Sequence, residues 1–340
     1  MAKSSINKIR NLKQQDEAWE VAVHAARTWI EPPKGDPYRP WYVFIMSVED
    51  KIIRYDRYPK KPTAHEVLES LFKAMRRPML GAGKKRRPSI VLFDNEALYK
   101  EISPMLSEIS IESKKQNSLP YSYAALKTLD ERMRHEDDLK SLLSIPGVTV
   151  PLLARIFEAT AAYYRLAPWE MLQEEEFAIE IRYPAEGKAR YAVVIGRAGE
   201  SFGLSVNDSL EDLKQLIASS SSQGMLSGDY SVLSFTYESP FYLAFEDLDA
   251  IEKYGWDIPN EKAYPSILRF NPKKGLLLPG KEDIFWLEAV LSALNEFFGK
   301  HFDADEFFLS FGEKEQKYKF EVQTLGGKKS VLIKLPVMVY

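Results

Sequence analysis

Cysteine is absent from the 340 residues. That removes disulfides, thiolate nucleophiles and cysteine-ligated zinc or iron–sulfur centres together, and it suits a reducing cytoplasm. Histidine is scarce: His24, His65, His135 and His301 are the four, and they show no metal-ligand spacing. No metal or other cofactor is expected. A surplus of one charge sign is also lacking, with 46 basic residues against 49 acidic ones and a net charge of −3. General affinity for nucleic acid needs a basic excess, so only a local basic patch is left to supply one. No apolar run approaches the roughly 20 residues that span a bilayer. The opening MAKSSINKIRNLKQQ lacks the apolar centre of a signal peptide. The expectation is a cytoplasmic protein without membrane contact.

What is present is core-forming material. A hydrophobic content of 45% and an aromatic content of 12% exclude a disordered chain. The length exceeds the size at which one core stops growing, so two domains are expected. Residues from Ile6 to Ile30 predict an opening helix, with Trp19, Val23, Ala26 and Ile30 on one face and Pro32 and Pro33 as the stop. WYVFIMSV and KIIRYDRY, joined by a polar turn at Glu49-Asp50, read as a hairpin. Thr63 and Glu66 form a capping box before a helix that presents Val67, Leu68, Leu71, Phe72 and Met75. A buried strand at Ser89–Phe93 precedes a helix over Glu96–Ile109, kinked or split at Pro104. This α-β-β-α-β-α unit is expected to end near residue 115. Residues 116–150 read as a helical connector, with ERMRHEDD as a solvated charge run.

The second half opens with a helix capped near Thr149, with Pro151 in its first turn. Strands are expected at Phe177–Tyr183, Tyr191–Ile195, Phe202–Val206, Tyr230–Tyr237, Ser266–Phe270, Phe307–Phe311, Tyr318–Gln323 and Val331–Leu335. Helices are expected at Ser209–Ala218, Glu246–Tyr254 and Ile284–Phe298, with a hairpin turn at Gly326-Gly327. The fold class is α+β. A small α/β sandwich-like domain (1–115) and a helical connector (116–150) precede a larger domain with a mixed or antiparallel sheet (151–340).

Three constellations carry candidate chemistry. Gly199-Glu200-Ser201-Phe202-Gly203 matches the nucleophile-elbow string, with His301 as the sole downstream histidine and Asp257 or Asp283 as the acid. An elbow needs a helix directly after the serine, whereas FGLSV is β-rich, so glycines shaping a hairpin turn are the competing account. Glu49, Asp56 and Asp94 are candidate magnesium ligands for phosphoryl transfer, as in ribonuclease-H-like nucleases. Asp94 ends a strand expected to be central, where ligands bind in α/β sheets, or else begins a helix cap. The opening meander of such a fold lacks a clear third strand in this reading. The third constellation is basic: Arg76, Arg77, Lys84, Lys85, Arg86 and Arg87 flank a glycine-bearing loop suited to phosphates or to ordinary solvation. Trp169 after Pro168, and Arg197 and Glu200 in the glycine-rich corner, are further binding candidates beside a plain packing role for the tryptophan.

The stretch AAYYRLAPWEMLQEEEFAIEI followed by YAVVIGRAGESFGLSVNDSLEDL resembles a prokaryotic family of domains of unknown function. Its marks here are the Ala167-Pro168-Trp169 element and the corner Gly196, Gly199, Glu200 and Gly203. The segments YLAFEDLDAIEKYGW and YPSILRFNP look like the same family. The first domain, from RPWYVFIMSVEDKIIRY to RPSIVLFD, looks like a companion domain of unknown function. The resemblance implies a fold type and a prokaryotic origin, and it transfers no catalytic residue. The expected function is a non-catalytic binding or interaction protein, meeting nucleic acid or a protein through the basic loop or an interdomain cleft. The alternatives are a metal-dependent phosphoesterase or nuclease at Glu49, Asp56 and Asp94, and a serine hydrolase at Ser201 and His301.

Overall fold

The computed structural model describes residues 3–49, 51–133, 139–172, 177–196, 199, 201–221, 230–303 and 315–339. The chain forms two compact units, Met1–Asp138 and Leu139–Tyr340. Each is α+β with its own core.

In the first unit, helix α1 (Lys3–Arg10) gives way to strand β1 (Gln14–Ala25). The expected helix over Ile6–Ile30 is therefore overturned for most of its length. Trp19, Val21 and Val23 face one apolar cluster while Ala18 and Ala22 face another. A strand covered on both faces loses the polar alternation that marks strands, and the residual spacing of its large side chains mimics a helix. The hairpin of β2 (Trp41–Ser47) and β3 (Lys51–Tyr58) forms as expected. Helix α2 (Ala64–Arg76) carries the capping box, with the Glu66 N–H on Thr63 Oγ1 at 3.3 Å and the Thr63 N–H on Glu66 Oε2 at 2.8 Å. Strand β4 (Arg87–Phe93), helix α3 (Glu96–Ser107), strand β5 (Glu112–Lys115) and helix α4 (Pro120–Met133) complete the unit. Helix α3 runs unbroken through Pro104, which sits in its last turn, and its cap is Asn95 rather than Asp94.

The five strands lie in the order β3-β2-β1-β4-β5. The pairs β3–β2 and β2–β1 are antiparallel, and β1–β4 and β4–β5 are parallel. The meander thus has its third strand, β1. Leu71 and Phe72 of α2 and Ile102 and Leu106 of α3 cover one face of the sheet. Leu126 of α4, with Leu119 just before it, covers Ala22, Phe44 and Leu92 on the other.

The second unit contains α5 (Val150–Leu166), α6 (Pro168–Met171), β6 (Phe177–Arg182), β7 (Ala189–Ile195), β8 (Gly203–Asn207) and α7 (Leu210–Ser221). After these come β9 (Val232–Glu238), α8 (Phe245–Tyr254), β10 (Tyr264–Asn271), β11 (Gly275–Leu277), α9 (Lys281–Lys300), β12 (Gln316–Thr324) and β13 (Gly327–Met338). The expected strand at Phe307–Phe311 lies outside the described residues. The eight strands run in the order β11-β10-β9-β8-β7-β6-β13-β12, antiparallel throughout. Helices α5 and α9 pack on one face through residues such as Ile156, Leu287 and Leu291. Helix α7 packs on the other through Leu213. No helix of the described residues is long and apolar enough to cross a membrane.

A charge network ties the second unit together. Asp283 accepts the Gly280 N–H at 3.0 Å and so caps α9. It also accepts two hydrogen bonds from Arg269, both 2.7 Å, and one from Arg190 at 3.0 Å. Asp208, between β8 and α7, pairs with the same two arginines at 2.9 and 3.1 Å. Arg190 lies over the Trp286 ring at 5.1 Å. Burial pushes the Asp283 carboxyl up, but the arginine and backbone donors outweigh burial and hold it below the usual aspartate range. A depressed carboxyl contributes stability that is complete above its unfolded value, about 3.9, and is lost as pH falls through the folded value. Asp283→Asn is expected to cost the second unit about 3 kcal/mol at neutral pH, because two arginines lose a buried partner. Acid unfolding followed by circular dichroism should show a shallower loss below pH of about 4 in the variant than in the parent. Parallel acid limbs would contradict this account of α9.

Candidate binding surfaces

The three carboxylates expected to hold a metal do not assemble. Glu49 lies in the β2–β3 turn, with its N–H on Ser47 Oγ at 3.2 Å. Asp56, on β3, is held on the α2 side by Arg54 at 2.6 and 2.9 Å and by the Ser70 hydroxyl at 2.8 Å. Burial raises its pKa, but these hydrogen bonds and the charges of Arg54 and Lys73 bring it below the ordinary value. Asp94 follows β4 and accepts the hydroxyl of Tyr123 from α4, on the opposite face of the sheet. Strands β3 and β4 are three interstrand steps apart, about 14 Å. Among the described residues, no three His, Asp or Glu side chains are placed to hold a metal ion.

Asp94 does stand at the C-terminal end of a central parallel strand. The adjoining strand β1 carries a buried carboxylate that was not legible in the sequence. Glu20, in the middle of β1 and 1% exposed, accepts the N–H of Ser122 at 2.6 Å and of Tyr121 at 3.4 Å. It therefore caps the first turn of α4 from another element, where free N–H groups favour an anion. A lone acid inside an apolar strand is its sequence signal, visible only once β1 is read as a strand. Further along the same face, His24 Nε2 lies 3.1 Å from Asp130 Oδ2 and Arg27 Nε lies 3.7 Å from it, beside a pocket of about 410 Å³.

The nucleophile string does not form an elbow. Gly199 closes a turn with its N–H on the Gly196 carbonyl at 3.0 Å, and β8 follows at Gly203, with the next helix at Leu210. Ser201 is exposed. The His301 ring packs on Tyr318 and Phe320 of β12, four strand positions from β8. The two candidate acids are engaged elsewhere, Asp257 with Arg165 and Asp283 with Arg269 and Arg190.

Trp169 sits at the glycine corner with 9% exposure. Its ring centroid lies 4.9 Å from Phe202, 5.6 Å from Tyr164 and 6.0 Å from Tyr237. Trp169, Phe202 and Tyr164 wall an open cleft of about 910 Å³ with Arg165, Glu170 and Pro259 on its rim. Gly196 permits the approach, since a Cβ there would come within 2.5 Å of Trp169 Cβ. Arg197 and Glu200 lie outside the described residues.

The basic loop divides into two kinds of cation. Arg86 is 8% exposed, bonds Glu17 and the Ala82 and Lys84 carbonyls, and lies over Trp19 at 5.4 Å. Arg87 donates to the carbonyls of Leu12 and Ile109. These two hold the fold. Arg76 donates to the Phe72 carbonyl at 3.3 Å. Arg77, Lys84 and Lys85 are exposed. The loop docks on β3, with the Met79 N–H on the Ile53 carbonyl at 2.9 Å and Arg54 Nη1 on the Arg77 carbonyl at 3.2 Å. The basic surface therefore continues onto β3, where Arg57 is exposed, and past it to exposed Lys60. Residues 51–87 hold 12 basic and 3 acidic residues, a net +9. The first unit carries +5 overall and the second −8.

Comparison with known proteins gives families and no activity. Residues 5–130 match a domain of unknown function, DUF6930, and residues 154–318 match a second, DUF7309. No curated protein matches the chain. Among solved structures, the chain is similar to one described as a simian T-cell lymphotropic virus intasome in complex with PP2A regulatory subunit B56 gamma. The match has 15% identity and a TM-score of 0.21, and it covers 58% of this chain and 78% of that one. A superposition that loose carries no argument.

Gly196→Ala forces a Cβ into Trp169 at a backbone φ of +151°, whereas Gly199→Ala, at φ +74°, meets open space. The first variant is expected to lose about 1–3 kcal/mol through overpacking added to strain. The second should lose only about 1 kcal/mol. Near-ultraviolet circular dichroism of the aromatic cluster should change in the first alone. Equal losses in thermal unfolding would show that Trp169 does not depend on this glycine.

Proposed function

We propose that the protein is a non-catalytic binding protein that engages a polyanion through β3, α2 and the α2–β4 loop of its first unit. The carrying observation is the net +9 of residues 51–87. Within it, Arg57, Lys60, Arg77, Lys84 and Lys85 are exposed and make no ion pair among the described residues. Cations left without carboxylate partners on adjoining elements are free to displace counterions from an anionic chain. A reducing cytoplasm, prokaryotic by the resemblance, is the setting that the cysteine-free chain suits.

A nuclease reading would need Asp56 and Asp94 on one face, and they occupy opposite faces with two strands, β2 and β1, between β3 and β4. A hydrolase reading would need Ser201 beside His301, whose ring instead packs on β12. The binding reading needs neither arrangement.

Heparin serves as a simple polyanion probe. The triple substitution Arg57→Glu, Lys84→Glu and Lys85→Glu is expected to weaken heparin binding at least about tenfold and to flatten its dependence on salt. All three side chains are exposed, so the fold should be unchanged by circular dichroism. Heparin binding that persists at parental strength in the triple variant would remove the proposal.

A further inference from the structure

We infer that the polyanion held by the first unit is single-stranded nucleic acid, with bases stacked on the open face of β3. This rests on the polyanion reading above and adds the ligand class.

The argument starts from register. Antiparallel pairing sets Arg57 opposite Tyr42, Tyr55 opposite Phe44 and Ile52 opposite Met46. Phe44 and Met46 belong to the cluster beneath α4, so all six side chains share the α4 face. Helix α4 covers β1 and β2 there and stops short of β3. Phe44 and Met46 are 5% and 2% exposed, while Tyr55 and Ile52 remain 45% and 42% exposed. The edge strand therefore presents a ring, an aliphatic side chain and a guanidinium in one row.

Tyr55 is a prepared platform. Its ring meets Tyr42 edge-on at 6.0 Å and lies nearly parallel to Phe44 at 6.4 Å. Neighbours on the sheet side fix the ring, so presenting its outer surface costs little further conformational entropy. Cations adjoin it. Arg57 is in the same row, and Lys60 follows the strand. The Arg77–Lys85 loop is bonded to β3 through Met79 and Arg54. Aromatic faces interleaved with positive charge are what an unpaired strand uses, because its bases offer free π-faces and its phosphates need counterions. A duplex hides its base faces, and an acidic protein would satisfy the cations while leaving Tyr55 and Ile52 in water.

The test is fluorescence anisotropy of a labelled oligothymidine of about 20 nucleotides with the full chain, alongside heparin and the corresponding duplex. Tyr55→Ala is expected to weaken oligothymidine binding about tenfold and to leave heparin binding unchanged. Tyr55→Phe should restore the parental affinity, since stacking needs the ring and not the hydroxyl. The parent should favour the single strand over the duplex. Oligothymidine binding unaffected by Tyr55→Ala, or a preference for duplex, overturns the inference and leaves the polyanion reading standing. Heparin binding with no nucleic-acid binding does the same and points to an acidic protein. Loss of neither ligand in the triple charge variant overturns both.

Discussion

A carboxylate in the centre of a sheet must be given donors, and in the first unit Glu20 receives them from the backbone at the start of α4. That contact sets where α4 can lie. With its first turn pinned over β1, the helix runs across β1 and β2, sends Tyr123 to Asp94, and reaches Asp130 beside His24. Glu20 within β1 and Asp94 at the end of β4 are thereby occupied by a helix terminus and a phenol. Burial and the neighbouring Asp94 push the Tyr123 hydroxyl well above the ordinary tyrosine range, so it remains a hydrogen-bond donor. The same placement leaves β3 outside the shadow of α4. The closed carboxylates and the open aromatic row are two consequences of one capping contact.

Charge is partitioned between the units in a way that the net value of −3 conceals. In the second unit, which is acidic overall, Arg190 and Arg269 are drawn inward to Asp208 and Asp283, where they fix the start of α9 against the sheet. In the first unit, Arg86 and Arg87 are drawn inward, while Arg57, Lys60, Arg77, Lys84 and Lys85 stay in solvent. Inward arginines act as multidentate connectors among carboxylates and carbonyls, for which the guanidinium fork is suited. The outward cations have no such structural task in the first unit.

Much of the fold was legible wherever a local rule was self-sufficient. Thr63 and Glu66 announced α2, Thr149 and Pro151 announced α5, the Gly326-Gly327 turn announced the β12–β13 hairpin, and the apolar stripe from Ile284 announced α9. The failure at β1 has a physical cause. Sandwiched between α2 and α3 on one side and α4 on the other, it carries apolar residues at successive positions, and periodicity no longer separates strand from helix. That single misreading hid the third strand of the meander and Glu20 with it. The basic loop was found, but not that Arg86 and Arg87 serve the fold, because their partners Glu17, Leu12 and Ile109 are distant in sequence. Nor was Tyr55 found, since only the register against β2 shows which face it takes and that α4 leaves it open.

Hydrogen–deuterium exchange of the full chain, with and without oligothymidine, tests most directly whether β3 and the adjoining loop form the binding surface. Slowed exchange confined to peptides from Trp41–Lys61 and Arg77–Arg87 is the predicted result. Slowed exchange at the ends of β1 and β4, or at the Trp169 cleft of the second unit with none on β3, would contradict it.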